Sequence, residues 1–326
     1  MPVASAKDVR EAFEAIVSEV SEYIVGREAV LQRLFEALLI GGHVLVEGVP
    51  GTAKTYVAKA FSMTIGLQFK RVQLTPDLLP SDVIGVLVYN QKTMDFEFRR
   101  GPVFTNILLA DELNRTPPRT QAALLEAMQE GQVTVAGRTY PLPKPFMVIA
   151  TENPVETEGV YPLPEAELDR FTFRVTTPYP SEGEEVEVLK RKALHGEEIL
   201  VRRVVGPEDV ARFSAVVSRV KVEEPVMRYI VSLVRATREN PSLTLGASTR
   251  AAVHLFYASR AHAVVSEGRE YVIPDDVREV FPDVINHRLV LRPEVLVSSY
   301  SKEPLWTYKT LMRVVHEILE SVPVPR

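Results

Sequence analysis

His43-Val44-Leu45-Val46-Glu47-Gly48-Val49-Pro50-Gly51-Thr52-Ala53-Lys54-Thr55-Tyr56 decides how this chain is read. His43–Glu47 is a short apolar, β-branched run with the length of a buried strand. From Tyr56 to Phe61 the apolar residues fall at helical spacing. Strand, glycine-containing loop, Lys-Thr and helix is the setting a phosphate-binding loop needs. Such a loop points successive backbone N–H groups at one anion. Gly48 and Gly51, which lack a Cβ, permit the backbone angles this requires. The start of the following helix adds its partial positive charge. Lys54 can reach the β- and γ-phosphates of a nucleotide, and the Thr55 hydroxyl can ligate Mg²⁺. Val49, Pro50, Thr52 and Tyr56 complete the candidate nucleotide contacts of this stretch. Ala53 departs from the G-x-x-x-x-G-K-[ST] pattern, where a second glycine is expected.

Working outward, Ile107-Leu108-Leu109-Ala110-Asp111-Glu112 is a continuous apolar run that ends in two carboxylates, the signature of a buried parallel strand. Ligands of such sheets bind beyond the carboxyl ends of the strands. Asp111 and Glu112 are therefore expected near the phosphates. Asp111 can hold Mg²⁺, usually through water, and Glu112 can orient the attacking water. Phe146–Thr151 reads as another buried strand, and Asn153 follows its carboxyl end. Asn153 can touch the γ-phosphate or its water there, although Asn153-Pro154 is also ordinary turn chemistry.

Composition bounds the class. The chain has 326 residues, enough for two domains of roughly 100–200 residues each. It is 46% hydrophobic and 25% charged, so it can bury a core and is not disordered. A net charge of −5 and a pI of about 5.8 argue against a surface that grips nucleic acid throughout, while a local basic channel stays open. The absence of cysteine excludes disulfides, thiolate metal sites and a Cys nucleophile. The N-terminus shows no apolar signal core, and no apolar stretch is long enough to span a bilayer. A soluble cytoplasmic protein is the expectation.

The remaining chain reads in order as follows. Val9, Phe13, Ile16, Val17 and Val20 predict an amphipathic helix that Ser5 or Asp8 could cap. A second helix carries Val30, Leu31, Leu34, Phe35 and Leu38 on one face and stops at Gly41-Gly42. Val25 and Gly26 lie at the junction of these helices. By themselves they read as an ordinary turn; their place shortly before the loop makes them candidate nucleotide contacts. Phe69–Leu74 reads as a strand. Two hairpins are predicted, at Val86–Arg99 and Gln132–Tyr140. Each puts apolar and basic side chains, Arg138 and Tyr140 among them, near a turn with no evident core to join. A helix runs from Thr116-Pro117 through Leu124, Leu125 and Met128, and a short helix at Glu165–Phe171 carries Asp169-Arg170-Phe171. Beyond Pro178 the chain is mainly helical: 184–194, 207–217, 224–238, 248–266 and 274–287, with Ser248 as an expected N-cap.

Taken together, several segments resemble the MoxR family of AAA+ ATPases. They are the phosphate loop, Ala110-Asp111-Glu112-Leu113-Asn114-Arg115-Thr116-Pro117-Pro118, Gln121–Met128, Ala150–Pro154, Tyr161–Ala166 with Leu168-Asp169-Arg170-Phe171, Gly246–Arg250 and His287-Arg288-Leu289. The likeness covers roughly residues 20–300. It implies an α/β fold: a P-loop αβα sandwich with a parallel sheet over residues 1–178, carrying the two hairpins as inserts, and a small all-α lid over 179–326. It further implies ATP hydrolysis with Mg²⁺ in a homo-oligomeric, hexameric ring that holds ATP between subunits. By motif match, Lys54 and Thr55 meet phosphate and metal, Asp111 and Glu112 form the acidic motif, and Asn153 is the first sensor. Arg170 resembles the finger offered to a neighbour, and Arg250 the second sensor on the lid. The family's relatives accept alanine at the Ala53 position. Remodelling or assembly of partner proteins, often ones with a von Willebrand A domain, is the implied function. The alternatives are a nucleic-acid translocating motor, a subunit of a chelatase-like metal-insertion complex, and a nucleotide-switched scaffold. Direct nucleic-acid binding is the less favoured on charge.

Overall fold

The computed structural model describes residues 4–49, 51–154, 159–196, 198–301 and 305–325. Ser5 caps α1 (Ala6–Ser21): its hydroxyl accepts from the Asp8 N–H, and the Asp8 carboxylate accepts from the Ser5 N–H at 2.7 Å. After α2 (Glu28–Ile40) the chain turns at left-handed Gly41 into β1 (Val44–Gly48), and the phosphate loop leads into α3 (Lys54–Ile65). β2 (Phe69–Gln73) and a single turn, α4 (Pro80–Ile84), precede the first hairpin, β3 (Gly85–Asn90) with β4 (Asp95–Arg100). Next come β5 (Ile107–Asp111), α5 (Pro118–Glu130) and the second hairpin, β6 (Gln132–Val135) with β7 (Arg138–Pro141). β8 (Met147–Glu152), α6 (Glu165–Leu168) and β9 (Phe173–Thr177) complete this half.

The central sheet is five-stranded, in the order β2-β5-β8-β1-β9, and every pairing is parallel. Parallel strands need helices on both faces, and the side chains divide by the two-residue period accordingly. Val44, Val46, Ile107, Leu109, Met147, Ile149, Phe173 and Val175 join one core with α1, α2 and α3. Leu45, Leu108, Ala110, Val148 and Ala150 join a second core with Leu124, Leu125 and Met128 of α5. The parallel strands read from the apolar runs and the α/β sandwich implied by the family resemblance are both present. Their consequence for function is that the carboxyl ends of β1, β5 and β8 lie side by side.

Both hairpins form where predicted, with one correction. Tyr140 does have a core to join: it stacks on Phe98 of the other hairpin, with ring centroids 4.1 Å apart and planes at 22°, and Phe98 meets Phe104 at 5.6 Å. The strand alternation that turns Val133 inward also brings Tyr140, its cross-strand partner, onto the neighbouring hairpin. Met94 and Phe96 near the tip of the first hairpin remain 74% and 58% exposed.

The chain from Pro178 onward holds α7 (Glu182–His195), α8 (Pro207–Arg219), α9 (Glu224–Glu239), β10 (Leu243–Leu245), α10 (Thr249–Glu267), α11 (Pro274–Ile285), β11 (Val290–Leu291), α12 (Pro293–Ser298) and α13 (Trp306–Ser321). β10 and β11 pair antiparallel. α13 was not among the expected helices, although buried Leu311, Val314, Val315, Ile318 and Leu319 follow helical spacing. α10 packs on α1, α2 and α11, so the apolar faces on either side of residue 178 share one core. Buried Arg33 of α2 ties into the same junction, donating to Asp283 of α11 at 2.7 Å and to Glu36 at 2.8 Å. Among the described residues no helix is long and apolar enough to cross a membrane.

Candidate functional site

The loop between β1 and α3 explains its own sequence. Gly51 has φ +80° and Ala53 φ +62°. The position where alanine replaces the second glycine is thus held in the left-handed region, at a cost of about 1–2 kcal/mol for a residue with a Cβ. Gly48 is required for space: a Cβ there would stand 1.9 Å from the Thr177 hydroxyl and 2.8 Å from the Thr177 carbonyl. The Thr52 hydroxyl donates to the Val49 carbonyl at 3.0 Å. Arg27 pins the loop from behind, donating through Nε to the Thr52 carbonyl at 3.3 Å and through Nη1 to the Gly26 carbonyl at 2.9 Å. Gly26 has φ +66°, and a Cβ on it would overlap the Glu184 carboxylate of α7. Pro50 lies outside the described residues.

Lys54 opens α3, and its ammonium donates to the carbonyls of Gly48 and Glu152, at the ends of β1 and β8. Asp111, at the end of β5, accepts from the Thr151 hydroxyl at 2.5 Å and from Arg71 Nε and Nη2 at 2.9 and 2.7 Å. The Thr55 hydroxyl is 3.4 Å from the same carboxylate. Glu112 sits at φ +60°, its N–H donating to the Thr151 hydroxyl at 2.9 Å. Its Oε2 accepts from Gln73 Nε2 at 2.6 Å and pairs with Arg115 at 3.2 Å. Asn153 is buried alongside. Burial pushes the Glu152 carboxyl up to about 7, against the pull of Arg174.

Lys54, Thr55, Asp111, Glu112 and Asn153 line one cleft of about 400 Å³, closed on one side by Val188 and Lys192 of α7. A second cleft of about 460 Å³ adjoins it, sharing Gly51, Thr52, Ala53 and Tyr56, and reaches Tyr23, Val25, Tyr179, Leu189 and His195. Val25 lines this cleft; Gly26 stands behind it as the turn that Arg27 grips. A loop with two left-handed residues at a helix start, beside a lysine and a hydroxyl–carboxylate pair, fits a phosphate chain and a hard divalent cation.

Arg170 and Arg250 are elsewhere. They line a third hollow of about 160 Å³ with His43, Met128 and His254. Asp169 organises it: its carboxylate accepts from Arg288 Nε at 2.6 Å and from Ser248 Oγ at 3.0 Å, and lies 3.7 Å from Arg250 Nη1. Ser248 occupies the N-cap position of α10, but its hydroxyl goes to Asp169 instead of capping the helix. Among the described residues Arg170 has no ion pair, and its Nε is buried without an acceptor. Burial pushes the His43 imidazole down to about 4; burial and the arginines Arg288 and Arg250 push His254 down to about 3. The charge of this hollow is therefore carried by arginine at neutral pH.

Sequence reasoning missed Arg71, Gln73, Thr151, Arg115, Arg27 and Lys192. For the first three a signal existed. Arg71 and Gln73 alternate on one face at the carboxyl end of β2, and Thr151 ends β8, where ligands of parallel sheets gather.

A parallel sheet with a glycine loop after one strand, Lys-Thr at the helix start and carboxylates at a neighbouring strand end defines a P-loop nucleotide hydrolase fold. Comparison with known proteins narrows this. The model of the "ATPase family associated with various cellular activities" matches residues 43–173, and that of the AAA lid domain matches 235–303. YeaC of Bacillus subtilis, itself uncharacterized, is 45% identical over 99% of this chain and 98% of its own length. The chaperone MoxR1 of Mycobacterium tuberculosis is 42% identical over 96% of this chain and 82% of its own. The crystal structure of a candidate ATPase from Cytophaga hutchinsonii superimposes with a TM-score of 0.87 at 40% identity, covering 98% of this chain and 97% of that one. The chain belongs to the MoxR family of AAA ATPases.

Proposed function

We propose that this protein is an ATP-hydrolysing ring ATPase that remodels or assembles partner protein complexes. The observation that carries the reading is the separation of the two arginines from the phosphate cleft. Arg170 and Arg250 share a hollow that contains none of Lys54, Thr55, Asp111, Glu112 or Asn153. Arg250, drawn in by Asp169, and Arg170, with a buried unsatisfied donor, suit an anion delivered from outside the subunit. A neighbouring subunit's nucleotide is that anion in a ring. Both arginines then act in trans, and residues 1–178 serve as the nucleotide-binding unit with 179–326 as its lid.

Within one site the residues divide the work. The backbone N–H groups of Gly51–Thr55 and the Lys54 ammonium hold the phosphates. Thr55 and Asp111 would hold Mg²⁺, which draws charge from the phosphate oxygens when bound. Glu112 orients the attacking water and Asn153 steadies the γ-phosphate side. Arg71 neutralises Asp111, and Gln73 restrains the Glu112 carboxylate by occupying its Oε2, which limits basal turnover. The chaperone name of the mycobacterial relative and the exposed Met94 and Phe96 of the first hairpin support a protein partner over nucleic acid. A partner with a von Willebrand A domain is the one the family likeness suggests.

The test is phosphate release measured against protein concentration, with assembly mass followed by sedimentation in ATP. Activity per subunit should rise as rings form. Activity constant down to concentrations where only monomer sediments would refute the shared site. A second measurement addresses Gln73. In Gln73→Ala the Glu112 carboxylate loses a 2.6 Å donor, so basal hydrolysis should rise severalfold at unchanged ATP affinity. A fall in turnover would instead assign Gln73 to aiming Glu112 productively.

A further inference from the structure

α7 is packed unlike the other long helices among the described residues. None of its residues is buried, and Leu189 is 69% exposed. Glu185, Val188, Leu189, Lys192 and His195 fall at i, i+3, i+4, i+7 and i+10, which places them on one stripe of the helix. That stripe lines the larger cleft, and Val188 and Lys192 also reach the phosphate cleft beside Lys54 and Thr55. Lys192 is fixed in direction: its ammonium lies 5.1 Å over the ring of Tyr56, the residue after Lys54-Thr55. The same cleft therefore receives a cation from the start of α3 and one from α7, and like charges converging on a hollow raise its affinity for a polyanion. Arg250, the lid arginine expected to read the nucleotide, faces the other hollow with Arg170.

We propose that Lys192 is a phosphate-reading cation of its own subunit's site and that the Val188–Leu189 stripe closes over the nucleoside, so that α7 senses ATP in cis. The proposal rests on the phosphate-cleft reading above. The two clefts are continuous through Gly51, Thr52, Ala53 and Tyr56, so one nucleotide can occupy both. Its phosphates would meet Lys54 and Lys192 together. Its nucleoside would lie against Val188 and Leu189, which are exposed among the described residues. Binding would then order α7 against the core, giving the lid a signal of the nucleotide state without Arg250.

Lys192→Met keeps a linear side chain beside Tyr56 and removes the charge; Lys192→Arg keeps the charge. Affinities for ATP and adenosine are measured by competition against a fluorescent ATP analogue, with amide exchange of residues 182–195 followed with and without ATP. ATP affinity should fall about tenfold in Lys192→Met, the scale of one charge-assisted hydrogen bond. Adenosine affinity should be unchanged, Lys192→Arg should stay near wild type, and the slowing of exchange by ATP should be lost from α7. ATP affinity within twofold of wild type overturns the proposal. Equal losses for ATP and adenosine with a lowered Tm also overturn it, because Lys192 would then only pack. Lys54→Ala is the control: if it too binds ATP as wild type does, the phosphate-cleft reading itself has failed.

Discussion

Lys54→Ala should lose ATP binding by about a hundredfold or more, while Glu112→Gln should bind ATP normally and turn it over about 10²–10⁴ times more slowly. The first figure follows from removing a charge-assisted donor set, at roughly 1.5–3 kcal/mol for each hydrogen bond to a charged group. Lys54 is placed for this by opening α3 with its ammonium on the carbonyl ends of β1 and β8. The second figure is the usual worth of a positioned acid or base. Glu112 touches Gln73, Arg115 and Thr151, so an isosteric amide leaves the fold intact. Nucleotide titration and single-turnover hydrolysis separate the two phenotypes. If Glu112→Gln loses ATP affinity as badly as Lys54→Ala, the division of roles between the two strand ends is wrong.

Arg170→Ala should bind ATP nearly as well as wild type and hydrolyse it about 10³ times more slowly, the low end for a cation supplied in trans. The low end is chosen because Arg250 lies in the same hollow and shares the load. Mixing Arg170→Ala with Lys54→Ala subunits should restore part of the activity, since a mixed interface pairs an intact loop with an intact finger. Arg250→Ala mixed with Lys54→Ala should recover in the same way; a lid arginine acting on its own subunit's nucleotide would give no recovery. The competing account, in which Arg170 only braces Asp169, is weakened by geometry: Asp169 is already engaged by Arg288, Ser248 and Arg250. Mixed rings that form but stay inactive at every ratio would end the trans assignment for either residue.

Much of this molecule is legible in the chain itself. The apolar runs at 44–48, 107–111 and 147–152 become parallel strands because their short length and apolar character suit a strand buried on both faces. The residues at their carboxyl ends then meet automatically, which is why the sequence alone groups Lys54, Thr55, Asp111, Glu112 and Asn153, the residues that line one cleft. Long-range packing decided the rest. Nothing in the spacing of Gly246–Arg250 says which hollow the start of α10 faces; that follows from α10 lying on α1, α2 and α11 and from Asp169 capturing Ser248 and Arg250. Lys192 reads from sequence as one charge on a solvated helix. Its place over Tyr56 exists because α7, with no buried face of its own, lines the cleft beside the phosphate loop. Local sequence specifies elements through backbone sterics and period. Which side chains from distant elements share a cleft depends on how the elements' apolar faces pair, and periodicity carries no record of that pairing.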